Sequence, residues 1–154
     1  MNIDLKNLAL VMLAAGCASA APQSTAAAKP GNCTLIVHVT GFRNQKGDAG
    51  GTLFMSPNGW PEDNSRAYVH GGFPITGDHA TLTFEHLPAG RYGVAVIHDE
   101  NSNHKLDRNL LHIPKEGFGF ANNPHVGLSA PKWEQATVNV TCPITETNVH
   151  LIYK

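Results

Sequence analysis

Residues 80–98 read ATLTFEHLPAGRYGVAVIH and decide the fold. Leu82 and Phe84 alternate with polar residues before a central turn, and Tyr92, Val94 and Val96 fall on one parity after it. A period of two places one set of side chains on the buried face of a β-strand. The turn, LPAG, contains the Pro and Gly residues that favour a tight reversal of the chain. The stretch therefore predicts two consecutive strands, each with one face in a core.

Similar runs recur along the chain, separated by turns that contain Gly, Asp and Asn. The predicted strands span residues 33–40, 51–56, 67–75, 80–85, 91–98, 135–142 and 147–153. About seven short strands at this spacing indicate an all-β fold, an Ig-like sandwich of antiparallel strands with one long loop. The residues predicted to fill its core are Leu82, Phe84, Tyr92, Val94, Val96, Val138, Val140, Val149 and Leu151.

The N-terminus has the three-part layout of a secretory signal: a short basic start, an apolar stretch and small residues. We predict cleavage after Ala20, which makes residues 1–20 the signal peptide, 21–32 a flexible segment and 33–154 the folded domain. The alternative is a lipoprotein signal in which Cys17 is acylated. In both cases the protein is predicted to be secreted or periplasmic, with no transmembrane segment in the mature chain.

Composition and motifs limit the class of function. The chain has 11 Lys and Arg, 12 Asp and Glu and a formal net charge of −1, without a basic run. Binding to nucleic acid needs a concentrated positive surface, so that partner is not expected. A Gly-x-Ser-x-Gly elbow and a phosphate-binding glycine loop are also missing from the sequence. We expect a binding or structural module and not an enzyme, with a protein, peptide or glycan as its partner.

Two cysteines remain after cleavage, Cys33 and Cys142. Each shares the alternation parity of the apolar residues in its predicted strand, so both thiols are expected to point inward. An even number of cysteines in an oxidising compartment indicates a disulfide. We predict a buried disulfide that joins the first strand to the penultimate one.

The connection at residues 99–133 is much longer than the roughly 12–15 residues at which loops usually end. It contains apolar residues such as Leu111, Ile113 and Phe118, which a disordered segment rarely holds. We expect it to fold back over one end of the sandwich, with a single helical turn at residues 108–111. Long connections of this kind are often functional.

Oxygen-bearing residues occupy every second position at the start of this connection. Calcium takes about six to eight oxygen ligands, and an EF-type loop supplies them at alternate positions, one of them through a backbone carbonyl. The predicted calcium ligands are Asp99, Asn101, Asn103, the Lys105 carbonyl and Asp107. The alternative is an Asx-rich turn that closes a strand and needs no ion.

Two departures distinguish this loop from the calcium pattern. His104 replaces the Gly of the sharp turn, although His is among the residues that tolerate a positive φ. Leu110 stands where a bidentate Glu is expected, and Glu116 can replace it only if the loop folds back. With two carboxylates in the ligand set, the expected affinity is weak, with Kd on the order of 10⁻⁴ to 10⁻³ M.

Histidines surround the same region, at His98, His104 and His112. Converging imidazoles bind zinc or copper, which raises the alternative of transition-metal handling or a metal-dependent hydrolase. Their spacing matches no standard zinc motif. Scattered histidines on the surface or at strand ends are the simpler interpretation.

Phe118 and Phe120 alternate with glycines in the sequence GFGF. Aromatic side chains offer flat apolar faces and glycines allow close approach, so the pair could line a groove for a carbohydrate or a peptide. The simpler interpretation is that they plug the open end of the sandwich. Under the first interpretation, Phe118 and Phe120 are the candidate ligand-binding residues.

Three stretches carry a family resemblance: residues 87–101 (LPAGRYGVAVIHDEN), 105–107 (KLD) and 113–123 (IPKEGFGFANN). Together they resemble the signature of an exported bacterial family, the domain of unknown function 2141, and the resemblance extends over residues 34–153. It implies an exported protein with a prealbumin-like or Cna-B-like β-sandwich and no established activity. Residues 87–107 are also similar to the repeat domains of bacterial surface adhesins, in which a related Asp/Asn loop binds calcium.

Overall fold

The computed structural model of the protein describes residues 31–154, so the predicted signal peptide, the acylation of Cys17 and most of segment 21–32 lie outside the described residues. The described part contains eight strands: β1 (Cys33–Thr40), β2 (Asp48–Phe54), β3 (Val69–Phe73), β4 (His79–Leu87), β5 (Gly90–Asp99), β6 (Phe118–Phe120), β7 (Thr137–Val140) and β8 (Ile144–His150). It also has two short 3₁₀ helices, Asn64–Arg66 and Trp133–Ala136. Among these residues, no helix is long and apolar enough to cross a membrane.

The strands form two sheets, which confirms the all-β prediction. The first sheet has the order β4-β1-β8, and the second has the order β3-β2-β5-β6. β7 pairs with residues 90–93 of β5, and β6 pairs with residues 95–97 on the same side of β5. The structure differs from a purely antiparallel arrangement because β1 and β8 run parallel, with Thr34 opposite Ile144 and Thr40 opposite His150.

The core lies between the two sheets. Buried residues alternate with half-buried ones along β1, because every second side chain points toward the second sheet. All of the predicted core residues are buried except Val138, which is half-buried and packs against the core. Each buried aliphatic side chain contributes about 1.5–3 kcal/mol relative to full exposure, so this shared interior holds the two sheets together.

Cys33 and Cys142 form a disulfide, as predicted, with their Cα atoms 4.3 Å apart. Cys33 is fully buried on the inner face of β1. The inward orientation predicted for Cys142 is wrong, because this residue is exposed. β7 ends at Val140, so the alternation that placed Cys142 inside does not continue to it.

The connection at residues 99–133 contains structure that the sequence did not predict. β6 lies within it, which raises the strand count from the predicted seven to eight. The predicted helical turn at residues 108–111 is wrong, because the segment forms a hairpin. Arg108 pairs with Pro114, and the backbone N–H of Asn109 donates to the Ile113 carbonyl over 2.9 Å. We call residues 108–114 the hairpin.

The long connection covers the outer face of the second sheet and not an end of the molecule. Phe118 lies opposite Ile97 and Phe120 opposite Ala95, and directly opposite residues share a face. Ala95 and Ile97 alternate with the core residues of β5, so both phenylalanines lie outside the inter-sheet core. They belong to a second apolar cluster that also contains Val126. The expectation that they plug an open end is therefore wrong.

Candidate functional site

The 99–107 loop begins where β5 ends. The side chain of Asp99 is fully buried, and its carboxylate accepts two backbone hydrogen bonds from the loop. Oδ1 accepts the N–H of Asn103 over 3.0 Å, and Oδ2 accepts the N–H of His104 over 2.6 Å. His104 has a φ of 62°, the left-handed conformation expected at the sharp-turn position. One carboxylate thus closes the turn through bonds to its backbone.

Three other predicted ligands face one another across this loop. Asp107 accepts a hydrogen bond from Nδ2 of Asn101 at Oδ2 over 2.7 Å. It accepts a second one from Nδ2 of Asn103 at Oδ1 over 3.0 Å. The Oδ1 atoms of the two asparagines accept N–H groups two residues further along, from Asn103 over 3.2 Å and from Lys105 over 2.9 Å. The side chains of Asn101, Asn103 and Asp107 therefore converge, with the two amide nitrogens facing the Asp107 carboxylate.

The side chain of Glu116 connects the two ends of the 99–107 loop. Its Oε1 accepts the N–H of Glu100 over 3.0 Å, and its Oε2 accepts the N–H of Asp107 over 2.9 Å. Burial raises the pKa of this carboxyl, and the neighbouring charges of Asp107 and Asp99 raise it further, while the two backbone hydrogen bonds oppose the shift. Leu110, at the position of the usual bidentate Glu, is fully exposed. Glu116 is the carboxylate that the fold brings to the loop instead.

Asp48 is a further acidic residue beside the loop that the sequence interpretation missed. It lies opposite Asp99 in the β2–β5 pairing, and its Oδ2 accepts Oγ–H of Ser102 over 3.4 Å. Its Oδ1 is buried without a hydrogen-bond partner in the described residues. The sequence interpretation missed Asp48 because the predicted strand began at residue 51, which left Asp48 in the preceding turn. Nowhere in residues 31–154 do three His, Cys, Asp or Glu side chains form a metal-binding group.

The three histidines of the transition-metal alternative occupy different environments. His98 is fully buried, and its Nε2 donates to the Lys46 carbonyl over 2.9 Å. Its Nδ1 therefore accepts the hydroxyl of Tyr153 over 2.8 Å. His104 is exposed in the loop, and His112 is exposed in the hairpin. Both nitrogens of His98 are engaged within the protein, so the structure does not bring the three together as ligands.

A cleft of about 560 Å³ lies over Phe118 and Phe120. The hairpin forms one wall, and residues 126–130 form the other. Phe118 and Phe120 are each 6% exposed, and their ring centroids are 6.0 Å apart. Trp60 packs against Phe120 with its ring centroid 5.5 Å away. The two predicted ligand-binding residues thus belong to the lining of the cleft and are not freely exposed aromatics.

Fold and site together define an all-β protein of two packed sheets, in which a carboxylate-organised Asx loop follows the central strand. The family described as "Uncharacterized protein conserved in bacteria (DUF2141)" matches residues 37–148, and the chain belongs to this family. The matched range contains the loop, the hairpin and both cleft phenylalanines. No curated protein and no solved structure matches the chain significantly.

Proposed function

We propose that the protein is a secreted or periplasmic binding or structural module whose 99–107 loop binds calcium. The observation that carries the proposal is the buried carboxylate of Asp99, which accepts the N–H groups of Asn103 and His104 and so holds the loop in a tight turn. A loop already closed in this way pays little ordering entropy when an ion binds. Asn101 and Asn103 surround the Asp107 carboxylate, and calcium would bind this carboxylate and the two amide oxygens once the amide groups turn over.

The disulfide supports the proposed compartment, because disulfides persist in secreted and periplasmic proteins and are rare in the cytosol. We also propose that the fold is an Ig-like or prealbumin-like sandwich, which is supported by two sheets that share one core. The module is proposed to act by binding and not by catalysis. Its partner would be a protein, peptide or glycan if the surface loops recognise a macromolecule.

The alternative of transition-metal handling or metal-dependent hydrolysis has less support. It requires His98, His104 and His112 to act together, whereas both nitrogens of His98 are engaged by Tyr153 and Lys46.

The second candidate function is the binding of a ligand in the cleft over Phe118 and Phe120, and one observation favours it. The cleft that contains Phe118 and Phe120 has a volume within the range of roughly 300–1,000 Å³ typical of small-molecule sites.

Thermal melting tests the calcium proposal. The protein is melted with excess chelator and then with millimolar calcium, at constant ionic strength and with the disulfide oxidised. A ligand that binds only the folded state raises stability by RT ln(1 + [L]/Kd), so calcium at about ten times Kd should contribute about 1.4 kcal/mol. This should raise Tm by a few degrees.

The matched variants are Asp107→Asn and Asp78→Asn. Asp107→Asn removes a carboxylate from the ligand set and should abolish the calcium-dependent rise in Tm. Asp78→Asn makes the same change at an 85% exposed side chain outside the loop and should retain the full rise. The proposal fails if the unmodified protein shows no rise in millimolar calcium, or if Asp107→Asn responds to calcium as strongly as Asp78→Asn does.

A further inference from the structure

We propose that the cleft over Phe118 and Phe120 binds a single-chain amphiphile with an aliphatic tail and an anionic head, of the fatty-acid class. The proposal names the ligand class of the second candidate site described above. It does not depend on calcium binding, because none of the predicted calcium ligands lines this cleft. Three features of the cleft lead to it: the chemistry of its walls, the engagement of its polar groups and the exposed leucines at its margin.

The walls of the cleft are mainly aliphatic and aromatic. Phe118 and Phe120 come from β6, Ile113 and Pro114 come from the hairpin, and Val126 lies on the opposite side. Transfer of apolar surface from water to such a site is favourable by about 25 cal/mol per Å². A methylene chain of suitable length therefore gains affinity from almost every contact that it makes in the cleft.

The polar groups on the hairpin side of the cleft are largely engaged, which disfavours a carbohydrate. Arg108 forms an ion pair with Glu62 and donates from Nη1 to the His112 carbonyl over 3.1 Å. The hairpin backbone is paired internally, since His112 N–H donates to the Asn109 carbonyl over 2.9 Å. A sugar needs hydrogen-bond partners for its hydroxyl groups, because a polar group buried without one is destabilising. An aliphatic chain has no such requirement.

Charge at the cleft favours an anionic head. Glu62 is the one carboxylate side chain among the described lining residues, and Arg108 neutralises it. Lys154 donates to the Val126 carbonyl over 3.0 Å, which uses one of the three N–H groups of its ammonium. The remaining two N–H groups of Lys154 can bind an anion.

Exposed leucines from both walls border the cleft. Leu111 of the hairpin is 77% exposed, and Leu128 of the opposite wall is completely exposed. Both residues line the cleft, so an aliphatic chain between the walls would cover part of each. Contiguous exposed apolar surface commonly marks a binding site. Leu110 is also completely exposed but does not line the cleft, which makes it a matched control.

Calorimetric titration of the purified, processed protein with decanoate below its micellar concentration tests the proposal, with 1-decanol as the uncharged ligand. We expect saturable binding of one decanoate per chain. The variant Leu111→Asn/Leu128→Asn should weaken decanoate binding at least tenfold, and Leu110→Asn should leave it unchanged. These substitutions are at exposed positions, so folding should be retained, which circular dichroism checks. Lys154→Gln removes the ammonium and should weaken decanoate binding several-fold while 1-decanol binding stays the same.

Several outcomes would overturn the proposal: no saturable binding of decanoate, equal losses in Leu110→Asn and Leu111→Asn/Leu128→Asn, or binding only to anionic vesicles and never to the monomeric amphiphile. Binding only to anionic vesicles would identify a membrane-surface contact instead. Sedimentation that shows a dimer broken by Leu111→Asn/Leu128→Asn would assign the surface to a second copy of the chain. Calcium-dependent melting is measured separately, so failure of either proposal is recognised independently of the other.

Discussion

Glu116 shows how a single residue links the folded loop to the binding of a proton. Its carboxyl is buried and receives the backbone N–H groups of Glu100 and Asp107. Desolvation and the nearby carboxylates of Asp107 and Asp99 raise its pKa in spite of these bonds. The folded protein therefore binds a proton at this site more readily than the unfolded chain does.

This shift predicts a pH dependence of stability. The contribution of Glu116 is greatest below the pKa of the unfolded chain and is lost as the pH rises through the raised pKa of the folded state. We expect the free energy of unfolding of the unmodified protein, relative to that of Glu116→Gln, to fall as the pH rises from about 4 to about 7. Urea unfolding in the presence of chelator at several pH values measures this difference. A difference that is constant or rises with pH would contradict the assignment.

At single residues, local spacing predicted the conformation of the 99–107 loop but not the residues that support it. The alternating positions that begin at Asp99 follow from local spacing, and the left-handed conformation of His104 was expected from its place in the loop. The positions of Glu116 and Asp48 depend on how distant segments pack, which local spacing does not encode. The inward assignment of Cys142 fails because tertiary pairing, and not alternation, decides where a strand ends.

Among the elements, β5 illustrates what periodicity predicts and β6 what it does not. β5 has ten residues with a central apolar run at 94–97, and its predicted span of 91–98 agrees with the observed one within one residue at each end. β6 has three residues, two of them aromatic and one a glycine. No period can be recognised over so short a segment. It becomes a strand because Phe118 and Phe120 bury their rings on the outer face of β5, a gain that only the folded partner offers.

The close approach of β6 to the end of β8 predicts a sharp effect at Gly119. A Cβ at this position would lie 2.6 Å from Cγ1 of Val149 and 2.8 Å from the His150 carbonyl oxygen. Gly119→Ala should therefore destabilise the protein by about 1–3 kcal/mol through overpacking. Gly127→Ala is the control, since a Cβ there has no atom within 4 Å, and its effect should stay within about 0.5 kcal/mol. Urea unfolding compares the two; equal stabilities would show that β6 can move away from β8.

For the whole molecule, the disulfide connects β1 to the C-terminal part of the chain across a sequence separation of 109 residues. Cross-links that close long loops restrict the unfolded chain most strongly. We expect Cys33→Ala/Cys142→Ala to lower the free energy of unfolding by about 4 kcal/mol. Denaturant unfolding of the variant and of the oxidised protein gives the difference, with the reduced protein as a second comparison. Similar stability of the oxidised protein and the variant would show that the cross-link restricts the unfolded chain much less than the length of its loop implies.

The pairing of β1 with β8 has a consequence for how the molecule is made. A polypeptide leaves the ribosome, or a translocation channel, with its N-terminus first. β1 is then among the earliest strands to emerge, but its parallel neighbour β8 is the last. Until residues 144–150 are released, one edge of β1 has no partner and the three-stranded sheet cannot be completed. The sheet that contains the N-terminal strand is therefore completed only after the last strand of the domain has been released.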